Sequence, residues 1–98
     1  MRLMYSDPAL SDIEGIMDYI GQDNPSAAVR MGEGILETAD LLEQNPELGA
    51  VRNDLAQGIR VFTYRGYGLY YRIDMENQTV ILERVLHPAL DVRRDFFD

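Results

Sequence analysis

The hydrophobic period changes once along this chain, from the 3.6-residue spacing of helices to the two-residue spacing of strands, and that change restricts the fold more than any other feature. Leu10, Ile13, Met17 and Ile20 line one helical stripe, with Asp12, Glu14 and Asp18 off it. Ala28, Met31, Ile35, Thr38, Ala39 and Leu42 form a second. Ser6-Asp7-Pro8 and Asp23-Asn24-Pro25 each read as a capping side chain followed by proline near the first helical position. Gly21 stops the first helix and Asn45-Pro46 the second, so residues 8–44 predict an antiparallel helical hairpin. Gly32 and Gly34 weaken the second helix by about 1 kcal/mol each relative to alanine, which points to close helix–helix contact.

From Ile59 the alternation is two. Residues 59–64, 67–74 and 79–86 are β-branched and aromatic runs, joined by Arg65-Gly66 and by Met75-Glu76-Asn77-Gln78. Such short turns predict an antiparallel meander. Residues 2–6 add a short first strand, and residues 89–97 a terminal helix or ordered tail. The expected architecture is α+β in the order β-α-α-β-β-β, an antiparallel sheet with an N-terminal helical hairpin packed on one face, as a single domain over residues 1–98.

Alternation also assigns faces. Ile59, Val61, Thr63, Leu69, Tyr71, Ile73, Ile81 and Val85 share one parity and are expected under the hairpin. Glu83 breaks that set and is expected near a strand edge or end. Phe62, Tyr64, Tyr70, Val80, Leu82 and Leu86 take the other parity, with Arg60, Arg72 and Arg84 among them, one per meander strand. With no second long helix to cover it, this face is expected to be a binding surface on which the three arginines converge. The competing reading has each arginine snorkelling or paired locally. His87, just past the third meander strand, is either an acid/base or phosphate contact or, preferably, a turn histidine bonded to backbone. Phe96 and Phe97 are expected to cover part of the sheet or an interface.

Charge narrows the function. The chain of 98 residues has nine arginines, no lysine, 17 carboxylates and a net charge of −8. Residues 1–50 hold two arginines against ten carboxylates, and residues 51–98 hold seven of each. Acidity of this kind opposes direct binding of free nucleic acid, while the second half retains the means for a local cationic face. The absence of cysteine excludes a disulfide framework, a thiolate zinc site and a thiol nucleophile, and one histidine makes a histidine metal site improbable. No cofactor or metal is expected. No apolar run approaches about 18 residues, so no membrane span is expected, and the opening residues do not read as a signal peptide. A cytoplasmic location is the default.

These segments, in this order, resemble the RelE/ParE toxin superfamily of bacterial type II toxin–antitoxin systems over about residues 3–95. Tyr5-Ser6-Asp7-Pro8-Ala9-Leu10-Ser11-Asp12-Ile13 resembles the family's first strand and helix entry. Asp18-Tyr19-Ile20, Asp23-Asn24-Pro25-Ser26-Ala27-Ala28 and Asn45-Pro46-Glu47-Leu48-Gly49 resemble the ParE hairpin and its following turn. Gly58-Ile59-Arg60-Val61-Phe62, Tyr70-Tyr71-Arg72-Ile73 and Arg84-Val85-Leu86-His87 form the strongest block. The resemblance implies neutralisation by a cognate antitoxin. It leans to ParE-like members, which inhibit DNA gyrase by protein–protein interaction and are not enzymes. A RelE-like ribosome-dependent mRNA endoribonuclease, with basic groups around the scissile phosphate, and a non-toxic antitoxin-binding scaffold stay open as alternatives. The absence of lysine weighs against the nuclease. Arg60, Phe62, Tyr70, Arg72, Arg84 and His87, with Arg93 and Arg94 in the tail, are the expected contacts to target or antitoxin. No residue is assigned as a catalyst.

Overall fold

The two capping signals start two helices where expected. In this computed structural model, which describes residues 1–87 and 89–97, Ser6 Oγ accepts from the Ala9 N–H (3.1 Å) and Asn24 Oδ1 from the Ala27 N–H (3.1 Å). Helix α1 spans Asp7–Gly21 and α2 spans Pro25–Gln44. Strand β1 (Arg2–Tyr5) precedes them; β2 (Ala50–Val51), β3 (Arg60–Tyr64), β4 (Tyr67–Asp74) and β5 (Thr79–Leu86) follow, and a 3₁₀ turn covers Arg94–Phe97. The sheet order is β1-β5-β4-β3-β2.

The three-strand meander is antiparallel, as the short turns require. The first strand is present as expected, but it makes the sheet mixed rather than wholly antiparallel, and β2 is an added strand. β1 lies parallel to β5, pairing Arg2 with Thr79 through Tyr5 with Leu82, and β2 adds a two-residue edge beside β3. Between β1 and β5 run the helical hairpin and then β2, β3 and β4, which cross to the far edge of the sheet and return, so β1 can pair with β5 in parallel.

Register overturns part of the face assignment. The tight turn pairs Tyr64 with Tyr67 and Phe62 with Leu69, which puts Phe62, Tyr64 and Arg60 on the hairpin side and Val61 and Thr63 on the other. In β5 the pairing passes from Tyr70↔Arg84 directly to Tyr71↔Leu82, leaving Glu83 as a bulge. One extra residue inverts the alternation, so Val80, Leu82 and Val85 all face the hairpin although their numbers differ in parity. Glu83 therefore interrupts mid-strand rather than marking an end.

The main core lies between hairpin and sheet: Ile13, Ile35, Ala39 and Leu42 against Leu69, Tyr71, Val80, Leu82 and Val85. Gly32 meets Met17 of α1, the close helix contact expected of it. Gly34 instead leaves room for the Tyr64 ring, where a Cβ would collide with the phenol. The second sheet face is not open as expected. Leu55 and Ile59 of the loop before β3, and Phe97 of the tail, close over Tyr70 and Leu86, with Ala56, Val61, Val92 and Phe96 around them. Phe96 and Phe97 thus do cover the sheet.

Tyr71 ties the turn after α2 to the core. Its hydroxyl donates to the Pro46 carbonyl (2.6 Å) and accepts from the Gly49 N–H (2.7 Å). Burial pushes the Tyr71 phenol above its ordinary value, against smaller opposing effects of the Gly49 bond and the Arg60 guanidinium. Tyr71→Phe is expected to cost about 2 kcal/mol by stranding both backbone groups, read as a fall in Tm of roughly 10 °C. The raised phenol also sets a sign: its contribution is complete below about pH 10 and is lost as pH climbs through the raised value. Unfolding free energies measured across that alkaline window should fall less steeply with pH in Tyr71→Phe than in the parent, with the raised Tyr5 and Tyr70 phenols retaining part of the dependence.

Candidate functional site

The expected arginines do not form one free patch: the register moves Arg60 to the other face, and Arg72 and Arg84, which keep theirs, are each bound to a carboxylate. Arg60 lies on the hairpin side of β3, where its Nη1 donates to the Gly49 carbonyl (2.8 Å) and the Glu47 carbonyl (3.3 Å). It fastens the same turn as Tyr71. Phe62 is half-buried in the main core. Tyr70 is buried on the opposite face with its ring 5.4 Å from that of Phe97. Arg72 Nε lies 2.9 Å from Glu83 Oε2, so the bulged carboxylate serves as its counter-ion.

Arg84 is held most tightly. Its Nε and Nη2 donate to the two oxygens of Asp12 (2.8 and 2.9 Å), a bidentate pair. The Val85 N–H donates to the same carboxylate (2.9 Å). The reason is local: β1 pairs with β5 only as far as Leu82, and beyond it the edge of β5 needs another acceptor. Ser6 Oγ bonds the Glu83 carbonyl (2.7 Å), and Asp12, one and a half turns into α1, takes the next group. Burial opposes the charged guanidinium, but the Asp12 hydrogen bonds outweigh it and hold Arg84 above the ordinary arginine range. Arg84 Nη1 also reaches the Phe96 carbonyl (3.3 Å), and the guanidinium stands 5.4 Å from that ring.

His87 is exposed, and its Nδ1 accepts from the Ala89 N–H (3.0 Å), the turn histidine preferred from sequence. A neutral ring so engaged carries its proton on Nε2, which makes the solvent-facing nitrogen a donor. Its ring meets Tyr67 edge-on at 5.5 Å. Arg93 lies near Asp95 (3.6 Å), and Arg94 donates to the Asp54 carbonyl (2.8 Å), joining tail to loop.

What gathers here is a groove. Between α1 and the end of β5 lies an open cavity of about 580 Å³, lined by Ile16, Tyr19, Tyr67, Leu90 and Phe96, with Arg84 and His87 on its wall. Tyr19 is 72% exposed and Leu90 48%, so apolar surface is presented to solvent. Of the residues expected from sequence, Arg84 and His87 belong to this groove; Arg60, Phe62, Tyr70 and Arg72 do not. Asp12, Tyr19 and Phe96 were missed as neighbours of Arg84. No short-range signal finds them, since Asp12 and Arg84 stand 72 residues apart. Among the described residues no group of three or more His, Asp or Glu is placed to hold a metal ion, and no helix is long and apolar enough to cross a membrane. Asp12 accepts three N–H groups and His87 Nδ1 accepts one, so the groove sets apolar area beside polar groups already held in hydrogen bonds.

Comparison with known proteins adds a lineage. The family model for the ParE toxin of the type II toxin–antitoxin system parDE matches residues 3–91. Toxin RelE2 of Caulobacter vibrioides is 49% identical over 48 residues, 49% of this chain and 54% of that protein, so the match spans about half the length of this curated relative. The chromosomal ParDE system of P. aeruginosa superposes with a TM-score of 0.76 at 22% identity, over 89% of this chain and 95% of that one. The RelBE2 toxin–antitoxin complex of Mycobacterium tuberculosis gives 0.56 at 29% identity, over 88% and 95%.

Asp12→Ala leaves Arg84 and the Val85 N–H without their acceptor. A loss of about 3 kcal/mol is expected in urea denaturation, with the largest gain in amide exchange along the second half of β5 and the start of α1.

Proposed function

The chain belongs to the ParE toxin family, and we propose that it is the toxin of a type II toxin–antitoxin pair, acting by protein–protein contact on DNA gyrase and neutralised by a cognate antitoxin. It would act in the cytoplasm, where gyrase works. The observation that carries the binding reading is the arginine geometry. Arg72 is matched by Glu83, Arg84 by Asp12, and Arg60 stands on the opposite face of the sheet. Catalysis of phosphodiester cleavage needs cations gathered and free around the phosphate, and these three are dispersed or neutralised. An apolar groove walled by Arg84 and His87 instead suits a protein segment. The structural neighbours from P. aeruginosa and M. tuberculosis are toxin–antitoxin systems, which supports a cognate antitoxin as the first partner.

The ribosome-dependent mRNA endonuclease is the second reading, favoured by the half-length match to a protein called toxin RelE2. Expression without antitoxin separates the possibilities. Growth arrest with DNA damage preceding any fall in translation, and loss of supercoiling by purified gyrase, are the expected results. Message cleavage in a translating extract with unimpaired supercoiling would replace this reading with the nuclease, and harmless expression with the scaffold. Within the proposed groove, Tyr19→Ala is expected to weaken antitoxin binding about tenfold or more with little change in Tm, because the side chain is 72% exposed. Titration calorimetry and thermal melts check the two halves of that statement.

A further inference from the structure

A small recess lies away from this groove, where the β3–β4 turn meets the first half of α2. It has a volume of about 190 Å³ and is lined by Ala27, Arg30, Met31, Tyr64 and Arg65. That is too small for a cofactor-sized molecule and large enough for one side-chain head group. Its chemistry sets it apart from the rest of the surface. Among the described residues, Arg52, Arg72, Arg84 and Arg93 have carboxylate partners within 4.0 Å, and Arg60 and Arg94 donate to backbone carbonyls. Arg2, Arg30 and Arg65 have neither, and two of these three, Arg30 and Arg65, line this one recess.

The recess is also built. Gly34 leaves the space that lets Tyr64 lie against α2. Arg65 Nε donates to the Tyr64 hydroxyl oxygen (3.1 Å), and its guanidinium carbon stands 5.7 Å from the ring centroid. That bond uses the phenol as acceptor and leaves its proton to donate. Arg65 has a φ of 48° and Gly66 a φ of 87°, the left-handed pair of a tight hairpin turn. Asn, Asp or Gly is favoured at the first of these positions. An arginine here meets a local conformational penalty to place a cation beside Tyr64.

We propose that the Arg30–Tyr64–Arg65 recess is an anchor site for a carboxylate, supplied by a single Asp or Glu side chain of a protein partner. Two guanidinium forks and a phenol proton match the two oxygens of one carboxylate. A phosphate would match the same donors, but the recess opens beside the hairpin, whose residues 7–44 carry nine of the ten carboxylates of residues 1–50 and repel a polyanion. A neutral or basic segment with one acidic residue meets no such barrier. The proposal stands apart from the identity of the target, and its test needs no toxin assay.

The folded protein, labelled with ¹⁵N, is titrated with N-acetyl-glutamate N-methylamide, the matching glutamine compound, inorganic phosphate and a single-stranded hexanucleotide. The glutamate compound is expected to shift the side-chain Nε–H signals of Arg30 and Arg65, the glutamine compound to leave them in place, and R30Q or R65Q to weaken binding about tenfold. R65N should unfold at a higher temperature than the parent, since it relieves the turn, while losing the shifts. No shift with the glutamate compound, retention of the shifts in R65N, or tenfold tighter binding of phosphate or the hexanucleotide would each overturn the proposal.

Discussion

The Asp12 carboxylate is the point at which the two layers of this fold are locked together. β1 ends after pairing Tyr5 with Leu82, and the rest of β5 faces α1 with unpaired backbone. A helix side cannot continue a sheet ladder, because its own N–H and C=O groups are used within the helix. A carboxylate projecting from that helix can stand in for the missing strand. Asp12 does so at Val85, and its charge then needs a cation, which Arg84 supplies two-pronged from the same strand. The pair sits with 23% and 15% of its side chains exposed, so solvent screens it only partly. Where Arg84 is held sets one wall of the groove and the seating of Phe96, while Arg94 and Phe97 fasten the rest of the tail.

Helix starts and stops were legible because they are local. Ser6 and Asn24 bond amides three residues ahead, and each is followed by proline. The face of β4 was legible for the same reason, since alternation within one strand places Leu69, Tyr71 and Ile73 together. What alternation cannot do is relate one strand to the next. The two-residue turn at Arg65-Gly66 contains that information: pairing Tyr64 with Tyr67 assigns every residue of β3, and reverses the assignment made from hydrophobicity alone. Both parities of β3 are apolar, so hydrophobicity had little power to choose. The bulge at Glu83 was visible as a misfit but not as its cause. A charged residue inside an apolar parity suits a strand end as well as it suits a bulge, and only the pairing with β4 separates them.

The candidate site was less legible than the fold. Its parts come from α1, the β4–β5 end and the tail, and they meet only through tertiary packing. Counting arginines overstated the cationic face, because each arginine's effect depends on its nearest acceptor. Glu83 is the instructive case. It looked like an intruder in a core strand, and it is the counter-ion that removes Arg72 from the supposed patch. Tyr70 likewise looked exposed for want of a second helix. A loop through Leu55 and Ile59 and a tail ending in Phe97 supply a cover without regular secondary structure, which periodicity does not detect.

The acidic average therefore carries less information than the pairing of charges. Among the described residues most arginines are spent within the molecule, on carboxylates or carbonyls, and contribute to shape more than to recognition. Cations left without such partners are then the ones whose placement calls for an external reason. Arg65 strengthens this logic because its backbone is in the left-handed region while its side chain bears on Tyr64. A residue chosen for the turn alone would be small and polar. At Arg65 this local conformational cost falls in a recess shared with Arg30, a second arginine without a carboxylate or carbonyl partner, and that coincidence is what the proposed anchor explains.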